Sequence, residues 1–329
     1  MTSSLKTLHL IEPFRIAHGT SATRQVLRVT ESGHTAEAPF VPYYGQDPEQ
    51  TLAVLSLAVL PATLPRTAML AMNLLRHDIV GHATGQRLGD VARARLGAPA
   101  KAAPPGGCRS FSIPTDLDVF ESKVRDIARQ FRVLKLKLGS GDLGLDIATV
   151  SVARNAAPEA QLILDVNGGW DPVQAPHMIE KLGYYSPALI EQPIHHRHGP
   201  EAWEELRANV PGGAPPIFAD ESVQTAADIP ALAPFVDGVN IKLLKCGSFD
   251  AAIAMVATAR EHSLQTLLGC MIETSLGTTA AAHLAPWVDW IDLDGHFYVA
   301  NDDFSGITYD AEGALLMPEG LGIGAMARA

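Results

Sequence analysis

The chain has 329 residues, of which 47% are hydrophobic, and a formal net charge of −11. That length and apolar content are enough for a large barrel and a smaller second domain. The acidic balance without a basic stripe argues against a nucleic-acid partner, and no apolar run reaches the roughly 18 residues of a membrane span. The N-terminus lacks the charged and apolar regions of a secretory signal. We therefore expect a small-molecule partner.

The first third of the chain predicts a small α+β domain. Apolar residues at 8–11 and 26–29 are typical of strands in an antiparallel sheet. Segment 99–107, rich in Pro, Ala and Gly, predicts a linker, so we assign residues 1–107 to an N-terminal domain. Its helical patterns lie at residues 48–60, 66–84 and 88–96.

Strand and helix patterns alternate after the linker, with helices such as 116–130 and 248–261. The strand patterns are apolar without alternation, as in strands covered on both faces. Eight strands with helical crossovers predict a parallel barrel over residues 108–305 rather than a sandwich. The glycine-rich tail, 306–329, shows no ninth unit and is expected to return to the N-terminal domain. The strands are expected near residues 109–113, 133–138, 161–166, 187–190, 216–219, 237–241, 265–269 and 290–293.

Charged side chains recur at the ends of successive predicted strands. They are spaced by 22 to 29 residues, about what one strand, one helix and two loops use. Because a barrel's active site lies at the C-terminal ends of its strands, these side chains should converge at one mouth. Three carboxylates form an oxygen-only ligand set that suits Mg²⁺ far better than zinc. The recurring residues are Lys137, Asp165, Glu191, Asp220 and Lys242.

Lysines flank the three carboxylates in strand order. Lys135 and Lys137 share one face of a strand, and Lys242 comes from a strand on the other side of the carboxylates. Mutual repulsion and a nearby metal would lower a lysine pKa towards neutrality and make a usable base. A substrate between the lysines could lose a proton to one and regain it from the other. A metal holding a substrate carboxylate would stabilise the enediolate formed on loss of the alpha proton.

Other polar residues extend this site. Asn167 lies two residues past Asp165, on the same side of the strand, and could orient a ligand. Asp292 and Asp294 also share one face and could bind a cation such as a substrate ammonium, or they could be solvated residues before a turn. The histidines at 195, 196 and 198 favour a solvated loop over a metal site because they follow Pro193 in a segment bounded by Pro and Gly.

With these residues in place, the chain resembles the enolase superfamily, in its muconate-lactonizing-enzyme subgroup. Within that group it is most similar to the dipeptide epimerases, including the L-Ala-D/L-Glu epimerases. The most specific matches are residues 240–247, NIKLLKCG, and 269–274, GCMIET, with others at 73–85 and 132–138. The resemblance implies a modified TIM barrel, (β/α)7β, with an α+β N-terminal capping domain.

The resemblance also implies a role for each residue. One Mg²⁺ per subunit would be held by Asp165, Glu191 and Asp220. Lys137 and Lys242 would be the acid/base catalysts that invert the alpha carbon of a dipeptide's C-terminal residue. The family's paired aspartates hold the free ammonium group of the dipeptide. The residues implied to bind substrate are Lys135, Asn167, Ile272, Asp292 and Asp294.

The chain departs from the family at a position that concerns specificity. Many Ala-Glu epimerases carry an arginine in an N-terminal loop where this chain has Gly19, with Arg24 nearby. The identity of the dipeptide therefore stays open. Loops near 15–24 and 40–47 should choose the side chains, with His18, Tyr43 and Tyr44 as candidates.

Two alternatives remain. The same scaffold could carry an N-acylamino acid racemase, an o-succinylbenzoate synthase or a muconate-type cycloisomerase, for which Asp292 and Asp294 would not matter. A non-catalytic ligand-binding barrel would not need opposed lysines. Barrels of this family often form homo-oligomers, although nothing in the sequence shows how many subunits assemble.

The three cysteines form neither an even framework nor a CxxC pair. We therefore expect Cys108, Cys246 and Cys270 to be buried thiols in a reduced, cytoplasmic protein.

Overall fold

The computed structural model describes residues 1–99 and 103–328, so part of the predicted linker lies outside the described residues. The chain begins with a three-stranded antiparallel sheet. Its first two strands include the two predicted segments, 8–11 and 26–29, and its third strand was not predicted. The first two strands form a hairpin, with Ile16 still paired with Gly19. The predicted loop at 15–24 is therefore mostly strand. The three strands are β1 (Thr2–Ile16), β2 (Gly19–Glu31) and β3 (His34–Pro39).

Helices α1 (Pro48–Leu55) and α2 (Arg66–Thr84) pack against this sheet, and α3 (Leu88–Leu96) packs on α2. α1 begins at Asp47, whose side chain accepts a hydrogen bond from the Gln50 amide at 3.0 Å. It ends well before the predicted residue 60. Leu57 and Val59 are exposed, so the apolar pattern there has no core face to support another helical turn.

The second part of the chain is a barrel of eight parallel strands in chain order, as predicted, each within two residues of its expected bounds. The strands are β4 (Cys108–Phe111), β5 (Val133–Lys137), β6 (Gln161–Asp165), β7 (Leu189–Glu191), β8 (Ile217–Ala219), β9 (Gly238–Ile241), β10 (Gln265–Gly269) and β11 (Trp290–Asp292). Helices cover the sheet: α4 (Leu117–Ile127), α5 (Leu143–Ala156), α6 (Ala175–Gly183), α7 (Pro200–Asn209), α8 (Ile229–Leu232), α9 (Leu243–Cys246), α10 (Phe249–Glu261) and α11 (Ser275–Ala282).

The first and last strands of the barrel are joined by side chains. β11 and β4 stand at the two ends of the hydrogen-bonded strand order. The Ser110 hydroxyl on β4 donates to Asp292 Oδ1 on β11 at 3.0 Å. The Ser110 amide donates to Asp294 Oδ2 at 2.6 Å. The two aspartates therefore help to close the barrel.

One face of each strand points into the barrel, and along β6 and β7 the side chains on this face change from apolar to acidic. Because side chains on one face recur every second residue, the inward row that is apolar at Ile163 or Leu189 becomes acidic at Asp165 or Glu191. The apolar rows form a separate buried cluster that closes one end of the barrel. Its members are Cys108, Val133, Ile163, Leu189, Phe218 and Leu267.

The tail forms two short antiparallel pairs: β12 (Phe304–Ser305) with β15 (Met326–Ala327), and β13 (Thr308–Tyr309) with β14 (Leu315–Leu316). Gly322 bonds to the segment between α2 and α3, accepting from the Leu88 amide at 2.8 Å and donating to the Gln86 carbonyl at 2.9 Å. Among the helices described, none is both long and apolar enough to cross a membrane.

The apolar end of the barrel depends on a glycine. A Cβ added at Gly238 would lie 2.3 Å from the Phe218 ring. We expect Gly238→Ala to lower the free energy of unfolding by about 1–3 kcal/mol through overpacking, measured by urea denaturation. The control is Gly212→Ala, whose added Cβ would have no atom within 4 Å. Equal stability of the two variants would contradict this account of the packing.

Candidate active site

Three carboxylates meet where the barrel strands end. Asp165 and Glu191 are the last residues of β6 and β7, and Asp220 directly follows β8. One carboxylate oxygen from each lies within 4.8 Å of the others, and all three side chains are fully buried. The predicted metal-ligand trio is therefore brought together. Buried negative charges this close require cations.

Lys135 is the cation at the centre of this site. Its Nζ lies 3.0 Å from Asp165 Oδ2, 2.8 Å from Glu191 Oε2 and 2.8 Å from Asp292 Oδ2. Burial alone would lower the pKa of Lys135, but the carboxylates, Asp165 first, outweigh it and hold that pKa well above its ordinary value. Lys135 is therefore a fixed ammonium group that orients three acidic side chains.

Lys137 and Lys242 approach the carboxylates from opposite sides. Lys137 Nζ lies 2.5 Å from Asp165 Oδ2, and Lys242 Nζ lies 2.7 Å from Asp220 Oδ2. They come from β5 and from the residue after β9, four strands apart in an eight-stranded barrel. Burial opposes the charge on Lys242, yet Asp220 outweighs it and raises the pKa of Lys242 well above its usual value.

The expectation of lowered lysine pKa values is therefore wrong for Lys135 and Lys242 in the field of the protein's own charges. The prediction rested on repulsion between ammonium groups and on a nearby metal, whereas the carboxylates that contact the lysines raise their pKa values. A divalent cation shared by the carboxylates would weaken their pull on the lysines.

Lys245 belongs to the same network and was missed by the sequence analysis. Its buried Nζ donates to Asp220 Oδ1 and to the Asp220 carbonyl, both at 2.6 Å, and to the Asn240 carbonyl at 2.7 Å. The Asn240 amide group in turn donates to Glu191 Oε1 at 2.7 Å. The signal was a second lysine at i+3 from Lys242, inside an otherwise apolar segment.

Several buried oxygens near the trio have no hydrogen-bond donor in the described parts of the chain. They are Asn167 Oδ1, Glu221 Oε2 and Glu191 Oε2, the last of which contacts Lys135 without hydrogen-bond alignment. Burial first, then neighbouring carboxylates, raises the pKa values of Glu191 and Glu221. Undersatisfied buried oxygens beside a carboxylate trio fit a hard divalent cation.

Asp292 and Asp294 are buried rather than solvated. Asp294 Oδ2 accepts from the Tyr298 hydroxyl at 2.7 Å as well as from the Ser110 amide. Burial opposes the ionisation of Asp292, but the Lys135 ammonium outweighs it and keeps that pKa below its ordinary value. Burial, followed by the charge of Asp292, raises the pKa of Asp294 to about 6. As the pH falls, Asp294 is therefore the first member of the pair to take up a proton.

One cavity joins the lysines to the aspartate pair. Lys137, Lys242 and Asn167 line it together with Asp292, Asp294 and Ile272. Every residue predicted to bind substrate therefore lines this cavity except Lys135, which is fully buried.

The N-terminal domain supplies the other wall of the cavity. Tyr43 lines it, and the His18 ring stacks on Tyr43 at 4.6 Å, while Tyr44 packs edge-on behind Tyr43 at 4.8 Å. Arg24 also lines the cavity. Its Nη1 donates to the Thr23 carbonyl at 3.1 Å, and no described acidic side chain forms an ion pair with it. The cavity therefore has a cationic side that protein carboxylates do not neutralise.

The three loop histidines lie in a turn after Pro193, as predicted. His195 stacks on His196 at 4.2 Å and meets the His18 ring edge-on at 5.9 Å. Within residues 1–99 and 103–328, His195, His196 and His198 are not among the groups of three side chains close enough to share an ion.

Comparison with known proteins places this site in a family. Residues 120–328 match the family described as "Enolase C-terminal domain-like". An L-Ala-D/L-Glu epimerase of Bacteroides thetaiotaomicron is 31% identical over 282 residues, 85% of this chain and 70% of that protein. An L-Ala-D/L-amino acid epimerase of Pedosphaera parvula is 39% identical over 225 residues, 65% of this chain but only 61% of its own length.

A solved structure supports the same conclusion. The dipeptide epimerase of Enterococcus faecalis V583, complexed with Mg and the dipeptide L-Leu-L-Tyr, superposes with a TM-score of 0.86 at 26% identity, covering 98% of each chain. The chain therefore belongs to the enolase superfamily. Within that superfamily, the two named relatives and the solved structure are epimerases, which are isomerases.

The site makes a prediction about stability. Lys135→Met would leave three buried carboxylates without their shared cation, so we expect it to lower the free energy of unfolding by about 3–5 kcal/mol. Urea denaturation without added metal measures the loss. Lys123→Met is the control, because its half-exposed ion pair with Glu12 should contribute no more than about 1 kcal/mol. A Lys135→Met loss as small as the control's would contradict the central role of Lys135.

Proposed function

We propose that the protein is a Mg²⁺-dependent dipeptide epimerase that inverts the alpha carbon of the C-terminal residue by two-lysine proton transfer. The observation that carries the proposal is the opposition of Lys137 and Lys242 across one cavity, each touching a carboxylate of the same buried trio. A binding protein needs no such pair. The named epimerases to which the chain is similar support the same reaction.

Asp165, Glu191 and Asp220 would hold one Mg²⁺ per subunit. The substrate carboxylate would chelate the ion held by these residues, and the charge of the ion would stabilise the negative charge that develops on that carboxylate. Lys135, Lys245 and the Asn240 amide fix the rotamers of the three carboxylates, which pre-organises the ligand oxygens.

The lysines carry the proton. One lysine, in its amine form, takes the alpha proton, the C–H electrons move into the carboxylate to give the enediolate, and the opposite lysine delivers a proton to the other face. In the metal-free protein Asp220 favours the ammonium form of Lys242, and a cation held by Asp220 would weaken that preference. The reverse direction uses the same two groups with their roles exchanged.

Asp292 and Asp294 would bind the amino-terminal end of the substrate. Their buried negative charges suit the free ammonium group of a dipeptide, whose carboxylate lies at the trio. An N-acylamino acid, a succinylbenzoate precursor or a muconate offers no ammonium group, so the aspartates would face an uncharged or anionic group at a desolvation cost. The buried pair therefore favours the epimerase over these alternatives.

The N-terminal domain, residues 1–107, would act as the capping domain that selects side chains. Ile16, Arg24, Phe40 and Tyr43 bring both apolar surface and an unneutralised guanidinium to the cavity. Arg24 would accept an acidic side chain although Gly19 occupies the family's arginine position. We therefore expect dipeptides with an acidic residue among the preferred substrates.

Exchange of the alpha proton tests the reaction. With Mg²⁺ in D₂O, pooled L,L dipeptides should gain one deuterium, detected by mass spectrometry, and EDTA should abolish the gain. Because each lysine serves one face, Lys137→Ala and Lys242→Ala should each stop epimerisation yet retain exchange from opposite epimers. Lys123→Ala, on the outer surface, is the control. Absence of exchange in every dipeptide would refute the proposal.

The pH dependence tests the aspartate pair. The pKa of Asp294 is raised to about 6, so the side chain is ionised above that pH and neutral below it. We expect kcat/KM for dipeptides, which reports the free enzyme, to fall as pH drops through about 6. Asp294→Asn should show a low kcat/KM without that step, and Asp118→Asn, exposed on α4, should behave like the parent protein. An unchanged kcat/KM in Asp294→Asn would favour a substrate without a free amine.

A further inference from the structure

A second cluster of metal-ligating side chains lies outside the cavity, where the N-terminal sheet meets α2. His34 is the first residue of β3, and Asp78 and His82 are four residues apart on one face of α2. One ligand atom from each residue lies within 4.8 Å of the others. In the described part of the chain, only this cluster and the barrel trio bring three such residues so close.

The contacts leave coordination capacity on the histidines. His34 Nδ1 lies 2.8 Å from Asp78 Oδ2, and His82 Nε2 lies 3.9 Å from Asp78 Oδ1, too far for a hydrogen bond. The two imidazole rings meet edge-on with centroids 4.9 Å apart. The His82 side chain is 49% exposed, so an ion could enter from solvent.

The carboxylate is oriented by the C-terminal tail. Asp78 is mostly buried, and its Oδ1 accepts a hydrogen bond from the Ile323 amide at 2.8 Å. The approach needs glycine at the preceding position, because a Cβ on Gly322 would lie 2.2 Å from that oxygen. A hydrogen bond from a group that does not itself bind the ion holds a metal ligand in position before the ion binds.

We propose that His34, Asp78 and His82 form a site for a divalent transition metal of the zinc type. Two imidazoles and one carboxylate, with water in a fourth position, are a common zinc ligand set. The set differs in kind from the oxygen-only barrel trio, which suits Mg²⁺. The ion takes the place of the proton between His34 and Asp78, and it ties β3 and α2 to the tail segment at Ile323.

Zinc titration of the whole protein, with the barrel trio saturated by Mg²⁺, tests the proposal. Zinc K-edge X-ray absorption should show two imidazole ligands in the first equivalent bound. His82→Ala should remove one imidazole and weaken zinc affinity at least about tenfold, since even the loss of an outer partner of a ligand costs that much. His177→Ala, exposed on α6, is the matched control and should change neither value.

Three results would overturn the proposal. The first is a zinc environment made of oxygen ligands only. The second is zinc binding that is unchanged in both His82→Ala and His34→Gln. The third is loss of zinc binding in His196→Ala, which would place the ion at the loop histidines. Because His82 is half exposed, its variant should unfold at the same urea concentration as the parent protein without zinc. That check separates a lost ligand from a lost fold.

Discussion

The burial of negative charge around Lys135 is the constraint on which the rest of the structure depends. Three carboxylates, Asp165, Glu191 and Asp292, share this one ammonium group within 3.0 Å. Leaving any of them unpaired would cost several kcal/mol, so the strands that carry them must meet around β5. Asp292 comes from the last strand and Asp165 from the third, so the same contacts that assemble the site also draw the barrel closed.

Side chains that alternate along each strand place apolar residues at one end of the barrel interior and charged residues at the other. The inward row that ends in Asp165 begins at Ile163, and the row that ends in Glu191 begins at Leu189, in the apolar cluster at the opposite end. A shift of one residue in any strand would turn its acid towards the surrounding helices and an apolar side chain into the site. The apolar cluster therefore fixes the register of the charged groups as well as contributing to stability.

Much of the barrel could be predicted from the sequence because one strand, one helix and two loops use a nearly constant number of residues. That regularity predicted eight strands and the convergence of Asp165, Glu191 and Asp220. Spacing along the chain does not encode contacts made to main-chain atoms of other strands, which is why Lys245 was missed. The raised pKa of Lys242 was mispredicted because strand spacing brings Lys242 and Asp220 to one mouth but does not report that they are in contact, at 2.7 Å. The third strand, β3, and the early end of α1 depend on packing between segments, which local patterns do not report.

The proposed proton-transfer groups and the residues proposed to select the substrate side chain lie on different parts of the chain. The structure therefore supports the proposed reaction more strongly than it identifies the substrate. The lysines and carboxylates sit on barrel strands, whose positions the apolar cluster fixes. Arg24 and Tyr43 come from the N-terminal domain, held over the mouth partly by the hairpin turn at Ala17. A Cβ added at Gly139 or at Gly169 would lie 3.1 Å from the Ala17 side chain, so the hairpin can approach the barrel loops only because those positions are glycine. Substitutions on β1 and β2 can therefore change the cavity wall without moving the lysines and carboxylates of the barrel. In the proposed epimerase, this separation would let one proton-transfer site serve different dipeptides.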